Sequence, residues 1–206
     1  MPNIDFNLYL ITDRGSLPAG RSLLEQVEAA LEGGLRAVQL REKNLSPTDL
    51  LPLAEQLREL TRRFGAKLLI NSCLETALAV DADGIHLPSH NPPIEKSRAA
   101  LGPDRLIGVS THSGQEVEAA AKAGADFVTF GPVYPTASKL PYGKPLGPEK
   151  LAQVCRNAPL PVFALGGITS KCLPELQNAG CNHFACIGAI LKNPDPEVAV
   201  RCFLAD

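Results

Sequence analysis

The sequence lacks the long apolar and basic segments that mark membrane proteins and nucleic-acid-binding proteins. Nowhere in its 206 residues do about eighteen apolar residues follow one another, so no transmembrane helix is predicted. No run of Lys or Arg forms a basic stripe, and the formal net charge of -2 offers no attraction to a polyanion. We therefore expect a protein that binds neither a membrane nor nucleic acid.

The N-terminus also lacks a basic region followed by an apolar stretch, which is the pattern of a secretory signal peptide. This absence predicts a cytoplasmic protein. The six cysteines lack the close paired spacing of a zinc site and lie in apolar or helical stretches, so we expect reduced thiols packed in the core. They are Cys73, Cys155, Cys172, Cys181, Cys186 and Cys202.

Short apolar runs recur along the chain and alternate with stretches of helical periodicity. The runs are residues 8–11, 37–40, 67–70, 84–87, 106–109, 127–130, 161–164 and 183–186. Buried strands that alternate with amphipathic helices indicate a parallel sheet covered by helices, and eight such units suit a closed barrel. We predict an α/β protein whose residues 1–206 form a single (β/α)8 TIM barrel. A doubly wound open sheet is the alternative.

Glycines follow the seventh and eighth predicted strands, where barrels of this kind commonly bind phosphate. Gly166 and Gly167 follow the seventh strand, and Gly188 follows the eighth after Ile187. Small residues let the backbone approach a ligand closely, and amides at a helix N-terminus favour an anion. We predict a phosphate site at these two loops; the alternative is that the glycines only form tight turns.

Two cations and an amide lie together at the end of the second predicted strand, as Gln39, Arg41 and Lys43. Arg can bind phosphate oxygens through two parallel hydrogen bonds, and Lys supplies a point charge. Lys139 adds a third cation from the long connection formed by residues 132–148. With Asn71 and Ser110, these residues suit a pyrophosphate better than one phosphate, although a solvated strand end would show the same residue types.

His112 follows the fifth predicted strand and is the preferred catalytic residue, because an imidazole at the rim can transfer a proton near neutral pH. The alternative is that its ring only caps the helix that begins near Ser113. His86, near the end of the fourth strand, is expected to be a hydrogen-bonded structural histidine.

Over its full length the chain resembles a known family, the thiamin-phosphate synthases and their relative TenI. The resemblance is carried by six motifs in the same order. They are LYLITDR (residues 8–14), VQLREK (38–43), ADGIHL (82–87), IGVSTHS (107–113), FGPVYPTASK (130–139) and GGI (166–168).

The resemblance implies roles for most of the rim residues. Gln39 would hold an aminopyrimidine, and its pyrophosphate would be contacted by Arg41, Lys43, Asn71, Ser110 and Lys139. Thiazole phosphate would be contacted by Thr136, Ser138, Gly167 and Ile187. The synthase joins these two small phosphorylated substrates by expelling pyrophosphate, and Mg²⁺ neutralises the departing charge.

The sequence departs from the synthase pattern where that pattern has two metal-binding aspartates, because these positions are Ser72 and Asn91. A hydroxyl and a carboxamide carry no charge to replace two carboxylates. We therefore predict no metal site and no cofactor, and a metal-independent TenI-like thiazole tautomerase that uses His112. The segment His86–Ser89 also looks more like TenI, whereas Gln39 and Lys43 match the synthase better.

Two alternatives stay open. One is an Mg²⁺-dependent thiamin-phosphate synthase whose metal ligands are rebuilt, with Glu42 or Glu75 as candidates. The other is a non-catalytic protein that binds thiamin precursors and contacts a regulator or a pathway enzyme. A homodimer is one arrangement that the sequence allows.

Overall fold

The computed structural model describes residues 4–90, 92–136 and 144–205. Its strands form a closed parallel barrel in chain order, and β1 pairs with β8 to complete the ring. This closure confirms the predicted (β/α)8 barrel and excludes the open sheet. The strands are β1 (Leu8–Ile11), β2 (Ala37–Leu40), β3 (Lys67–Asn71), β4 (Gly84–Leu87), β5 (Leu106–Thr111), β6 (Phe127–Phe130), β7 (Val162–Leu165) and β8 (His183–Cys186).

Helices connect successive strands on the outside of the barrel. In the described residues they are α1 (Leu23–Glu32), α2 (Pro47–Arg63), α3 (Leu74–Ala79), α4 (Ile94–Leu101), α5 (Gly114–Lys122), α6 (Gly147–Asn157), α7 (Leu173–Asn178), α8 (Gly188–Leu191) and α9 (Pro196–Leu204). Short 3-10 turns lie at Arg14–Ser16 and Ser170–Cys172. None of these helices has both the length and the apolar character needed to cross a bilayer.

Three strands differ by one or two residues from the predicted runs. β3 extends to Asn71 and β5 extends to Thr111, while β7 begins and ends one residue later than predicted. Polar residues at the end of a strand can still form backbone hydrogen bonds with the neighbouring strands. Hydropathy alone does not indicate this. The difference matters because Asn71 and Ser110 therefore lie within strands and not in the loops after them.

The barrel interior and the layer between barrel and helices form two separate apolar clusters. Inside the barrel, the rings of Phe6, Tyr9, Phe127 and Phe163 pack with centroids 5.2–5.9 Å apart. Such contacts fill this part of the barrel with rigid apolar volume. A ligand is therefore confined to the opposite, C-terminal mouth.

The cysteines are all free thiols, but the expectation that they belong to the core is wrong for one of them. Cys181 and Cys186 are buried, three others are half-buried, and Cys202 is exposed on α9. A helix in an outer layer turns one face to solvent, and the polarity of a cysteine does not reveal which face it occupies.

Candidate functional site

Four polar side chains enter the barrel from β1, β2, β4 and β5. They are Tyr9, Gln39, His86 and Ser110. Successive residues of a strand point to opposite faces, so the apolar neighbours of these residues pack outward against the helices. Three of the four are fully or almost fully buried, and Ser110 is half-buried nearer the mouth.

These side chains form one continuous series of hydrogen bonds. Gln39 Nε2 donates to Tyr9 Oη at 3.0 Å, and Tyr9 Oη lies 3.5 Å from His86 Nδ1. His86 Nε2 in turn lies 3.1 Å from Ser110 Oγ. The series links the closed interior of the barrel to a hydroxyl at its mouth. Buried polar groups are usually satisfied in this way, and a fully satisfied network fixes the positions of its members.

A glycine on β5 makes room for the histidine ring. A Cβ at Gly108 would lie 2.6 Å from His86 Nδ1 and 2.4 Å from Phe127 Cζ. The strand register pairs His86 with Gly108 on one side and with Asn71 on the other. The absent side chain therefore lets the imidazole lie close to the backbone of β5.

Burial controls the ionisation of this interior. It lowers the pKa of His86 from 6.5 to about 3, and the nearby Arg41 guanidinium lowers it further. Burial also raises the pKa of Tyr9, although its hydrogen bond with Gln39 acts in the opposite direction. Both groups are therefore neutral at physiological pH, and neither is a source of charge for binding an anion.

The low pKa of His86 predicts a loss of stability on mild acidification. The unfolded chain binds a proton below pH 6.5 and the folded chain does not, so this stability is complete above pH 6.5 and is lost as the pH falls toward 3. Lowering the pH from 7 to 5 should reduce the free energy of unfolding by about 2 kcal/mol through His86. Urea titrations of wild type and His86→Gln should show the steeper decline in wild type. Parallel declines would contradict the assignment.

The loop after β2 carries the two predicted cations. Arg41 is half-buried, its backbone amide donates to Thr12 Oγ1 at 2.9 Å, and burial lowers its pKa while Asp13 and Glu42 raise it. Lys43 is exposed. A partly desolvated guanidinium interacts with an anion more strongly than a fully hydrated one. Of the two cations, Arg41 is therefore the one that we expect to bind an anion more strongly.

The carboxylate between these cations is held by the loop after β1. The Glu42 side chain is 2% exposed, and its Oε2 accepts the backbone N–H of Arg14 at 3.1 Å and lies 3.5 Å from Arg14 Nε. Its Oε1 is buried and has no hydrogen-bond partner among the described residues. Glu42 thus connects the loops after β1 and β2.

Asn71 and Ser72 lie at the end of β3. Asn71 Nδ2 donates to Ser72 Oγ at 3.2 Å, and Ser72 adopts a left-handed backbone conformation with φ 58°. The Ser72 backbone amide donates to the carbonyl of His86 at 2.9 Å, which holds this turn against β4. Asn71 is half-buried and Ser72 is exposed, so both are accessible at the mouth.

His112 immediately follows β5 and is exposed. Its Nδ1 hydrogen-bonds the carbonyl of Gly131, which can only accept, so Nδ1 carries the proton and Nε2 is the basic atom. The N-cap of α5 is Ser113, whose hydroxyl accepts the backbone N–H of Glu116. The alternative role of the His112 ring as a helix cap is therefore wrong. The position of His112 suits proton transfer.

The glycines after β7 allow close contact with the loop after β6. A Cβ at Gly166 would lie 2.5 Å from Pro132 Cβ, and one at Gly167 would lie 2.7 Å from Tyr134 Cβ. Backbone hydrogen bonds join the two segments, including Tyr134 N to the carbonyl of Gly166 at 2.9 Å. No α-helix begins directly after these glycines: a 3-10 turn starts at Ser170, and α7 follows it. The expected helix N-terminus is therefore displaced from the glycines.

The remaining predicted residues lie around the same rim. Ile187 is half-buried and precedes Gly188, the first residue of the four-residue helix α8. Thr136 is half-buried in the loop after β6. Ser138, Lys139 and Asn91 lie outside the described residues, so their predicted roles stay predictions.

Comparisons with known proteins identify the family of this chain. The family model described as thiamine monophosphate synthase matches residues 8–190. The chain belongs to the thiamine monophosphate synthase family. It is 52% identical to a putative thiamine-phosphate synthase of Geobacter sulfurreducens, with 100% of this chain and 96% of the relative covered.

Other members of the thiamine monophosphate synthase family are similar over nearly their full length. A thiamine-phosphate synthase of Clostridium novyi is 42% identical, with 97% of each chain covered. The structure of a thiamine phosphate pyrophosphorylase from Pyrococcus furiosus superimposes with a TM-score of 0.85 at 34% identity, covering 96% of this chain and 93% of that one. These names support the synthase alternative better than the tautomerase that the missing aspartates favoured.

The Mg²⁺ that the family resemblance implies does not fit the donor atoms of the described residues. No three His, Cys, Asp or Glu side chains come together as a metal site in residues 4–90, 92–136 and 144–205. Ser72 offers an uncharged hydroxyl that already accepts from Asn71. Glu42 is bound to Arg14, and Glu75 is exposed in the first turn of α3. Mg²⁺ is usually held by one or two carboxylates, which these side chains do not offer to it.

Sequence reasoning missed Tyr9 and Gly108 as parts of the site. Tyr9 lies in an apolar run that reads as core, and Gly108 reads as an ordinary small residue in a strand. The signal that could have found them is the period-two alternation, since Tyr9 and Gly108 share the inward face with the other polar residues.

Proposed function

We propose that this chain is a thiamin-phosphate synthase that joins hydroxymethylpyrimidine pyrophosphate to thiazole phosphate. The observation that carries the proposal is the division of the rim into two different halves. Polar and cationic side chains from β2 to β5 face one half, whereas glycine-rich backbone after β7 and β8 borders the other. A condensation needs two substrate sites, and an isomerase acting on a single ring needs one.

The first half has the chemistry for a pyrimidine pyrophosphate. Gln39 lies deepest, with its Nε2 on Tyr9, and would use its amide carbonyl to accept a hydrogen bond from the exocyclic amine of the pyrimidine. Arg41 and Ser110, nearer the mouth, would donate to the pyrophosphate. In the reaction the bond from the pyrimidine methylene to pyrophosphate breaks, the pyrophosphate leaves with the electron pair, and the thiazole nitrogen forms the new bond to carbon.

The second half would hold the acceptor substrate. Backbone amides near Gly167 and Gly188 would bind the thiazole phosphate, and Thr136 would contact it from the loop after β6. The close packing of Gly167 against Tyr134 holds the loop after β7 against the loop after β6. Holding both substrates together supplies the proximity that a bimolecular condensation requires.

A metal-independent thiazole tautomerase is the second candidate. Ser72 favours it because this residue carries no charge for a metal, and His112 favours it because its Nε2 is available as a base. Proton transfer within a bound thiazole phosphate needs the second half of the rim and an acid or base, but neither the metal nor the first half.

One assay with two products separates these functions. Thiamin phosphate formation is followed with and without Mg²⁺, and thiazole tautomerisation is followed separately, for wild type and His112→Ala. We expect wild type to form thiamin phosphate. Tautomerisation that His112→Ala abolishes, without any thiamin phosphate, would replace the synthase by the tautomerase. Tight binding without either turnover would indicate a binding protein.

Restoring a carboxylate at the end of β3 should increase synthase turnover. The left-handed backbone of Ser72 tolerates Asp and Asn better than other non-glycine residues. We expect Ser72→Asp to raise thiamin phosphate formation about tenfold at excess Mg²⁺, since an anionic oxygen is the ligand that this ion prefers. Ser72→Asn is the matched control and should leave the rate unchanged. Equal rates for both variants would show that charge at this position is irrelevant.

A further inference from the structure

The hydrogen bonds inside the barrel have a direction that follows from the donors and acceptors present. Gln39 Nε2 can only donate, so Tyr9 Oη accepts it. Among the described residues, the other polar partner of Tyr9 is His86 Nδ1. A buried hydroxyl whose hydrogen has no acceptor is unfavourable, so the Tyr9 hydrogen is donated to Nδ1.

The hydrogen bond between the imidazole and Ser110, at the mouth of the barrel, has the same outward direction. A neutral ring that accepts at Nδ1 carries its proton on Nε2, and this nitrogen faces Ser110 Oγ at 3.1 Å. Ser110 must then accept from His86, which leaves its own hydrogen for another acceptor. No second hydrogen-bond partner of the Ser110 hydroxyl lies among residues 4–90, 92–136 and 144–205.

We propose that His86 is a positioning residue: as the Nε2–H tautomer it donates to Ser110 Oγ and so directs the Ser110 hydroxyl hydrogen to an anionic oxygen of the substrate. With the opposite tautomer, Ser110 would donate inward and would present only lone pairs to that anion. The identity of the anion as a pyrophosphate rests on the proposed synthase function, whereas the tautomer does not.

The packing around the ring supports this role. The His86 ring packs against both Tyr9 and Phe127, with centroids 5.8 Å from each. The space at Gly108 is occupied by the same ring and by Phe127. A ring packed in this way cannot rotate by 180° without moving its neighbours. Nδ1 therefore keeps facing Tyr9, and the tautomer set by Tyr9 is maintained.

Nitrogen NMR of the ligand-free full chain with ¹⁵N-labelled histidine tests the tautomer directly. His86 is assigned from the signals that disappear in His86→Gln. We expect a protonated Nε2 and an unprotonated Nδ1 that do not titrate between pH 8 and pH 5. A protonated Nδ1, or a ring that gains a second proton in this range, would overturn the proposal.

Two substitutions that replace different parts of the imidazole test the effect on binding, with inorganic pyrophosphate as the probe in calorimetry. His86→Gln retains an N–H at the position of Nε2, whereas the shorter side chain of His86→Asn does not reach Ser110. We expect His86→Asn to weaken pyrophosphate binding about tenfold, as expected for one lost hydrogen bond to a charged group, and His86→Gln to restore most of the affinity.

A double-mutant cycle separates positioning from a general structural effect. In a Ser110→Ala background, His86→Asn should change pyrophosphate affinity by less than about twofold, because the hydroxyl through which it acts is absent. The same loss with and without Ser110 would contradict the proposal. If wild type binds no pyrophosphate and forms no thiamin phosphate, the proposed synthase function fails, and the NMR result still decides the tautomer.

Discussion

Gly167→Ala should lower the free energy of unfolding by about 3 kcal/mol and reduce thiamin phosphate formation by about a hundredfold or more. Gly167 has φ 68°, which an L side chain rarely adopts, and a Cβ there would lie 2.7 Å from Tyr134 Cβ and 2.8 Å from the carbonyl oxygen of Pro135. The loop after β6 would have to move away from the loop after β7. The proposed phosphate site lies at this junction.

Gly65→Ala is the matched control for backbone strain. Gly65 has φ 62°, almost the same as Gly167, but nothing in the described residues lies within 4 Å of its added Cβ. It lies between α2 and β3, at the end of the barrel away from the mouth. We expect a loss of about 1 kcal/mol in urea denaturation from the strained backbone and unchanged turnover. Equal effects of the two substitutions on turnover would show that contact with Tyr134 is unimportant.

Arg41→Ala should reduce thiamin phosphate formation by a factor of about 10² to 10³ while leaving the binding of thiazole phosphate within about threefold of wild type. Arg41 is half-buried and its charge acts on His86, so the reduced local dielectric strengthens its interaction with an anion. In the proposed reaction, removing it would take away a donor to the leaving pyrophosphate and would leave the half of the rim proposed for thiazole phosphate unchanged. Steady-state kinetics of thiamin phosphate formation and calorimetry with thiazole phosphate give the two factors.

Two further variants make the Arg41 result specific. Arg41→Lys keeps the charge but loses the planar pair of donors, so it should recover only part of the activity. Arg63→Ala removes an arginine whose ion pair with Glu28 is on the outer surface, and it should leave thiamin phosphate formation and thiazole phosphate binding unchanged. A parallel loss of turnover and of thiazole phosphate binding in Arg41→Ala would indicate a structural role for this residue and contradict the division of the rim into halves.

The sequence was sufficient to predict the barrel because its pattern is repeated in every unit. Each strand is buried on both sides and therefore reads as an apolar run, and each connecting helix shows its own periodicity. The family was also predicted correctly from its ordered motifs, and the match over residues 8–190 confirms it. The choice of the tautomerase rested mainly on Ser72 and Asn91, with the segment His86–Ser89 in support, and the named relatives support the synthase better.

The sequence by itself therefore determined the fold, the family and which strand ends carry the polar residues, because these properties depend on local hydropathy and on order along the chain. Only the tertiary structure decided how Tyr9, Gln39, His86 and Ser110 join in one directed series of hydrogen bonds. The two residues joined by each of these hydrogen bonds are 24 to 77 residues apart in sequence. The direction of each bond depends on which atoms meet when the barrel closes, and a linear pattern carries no information about that.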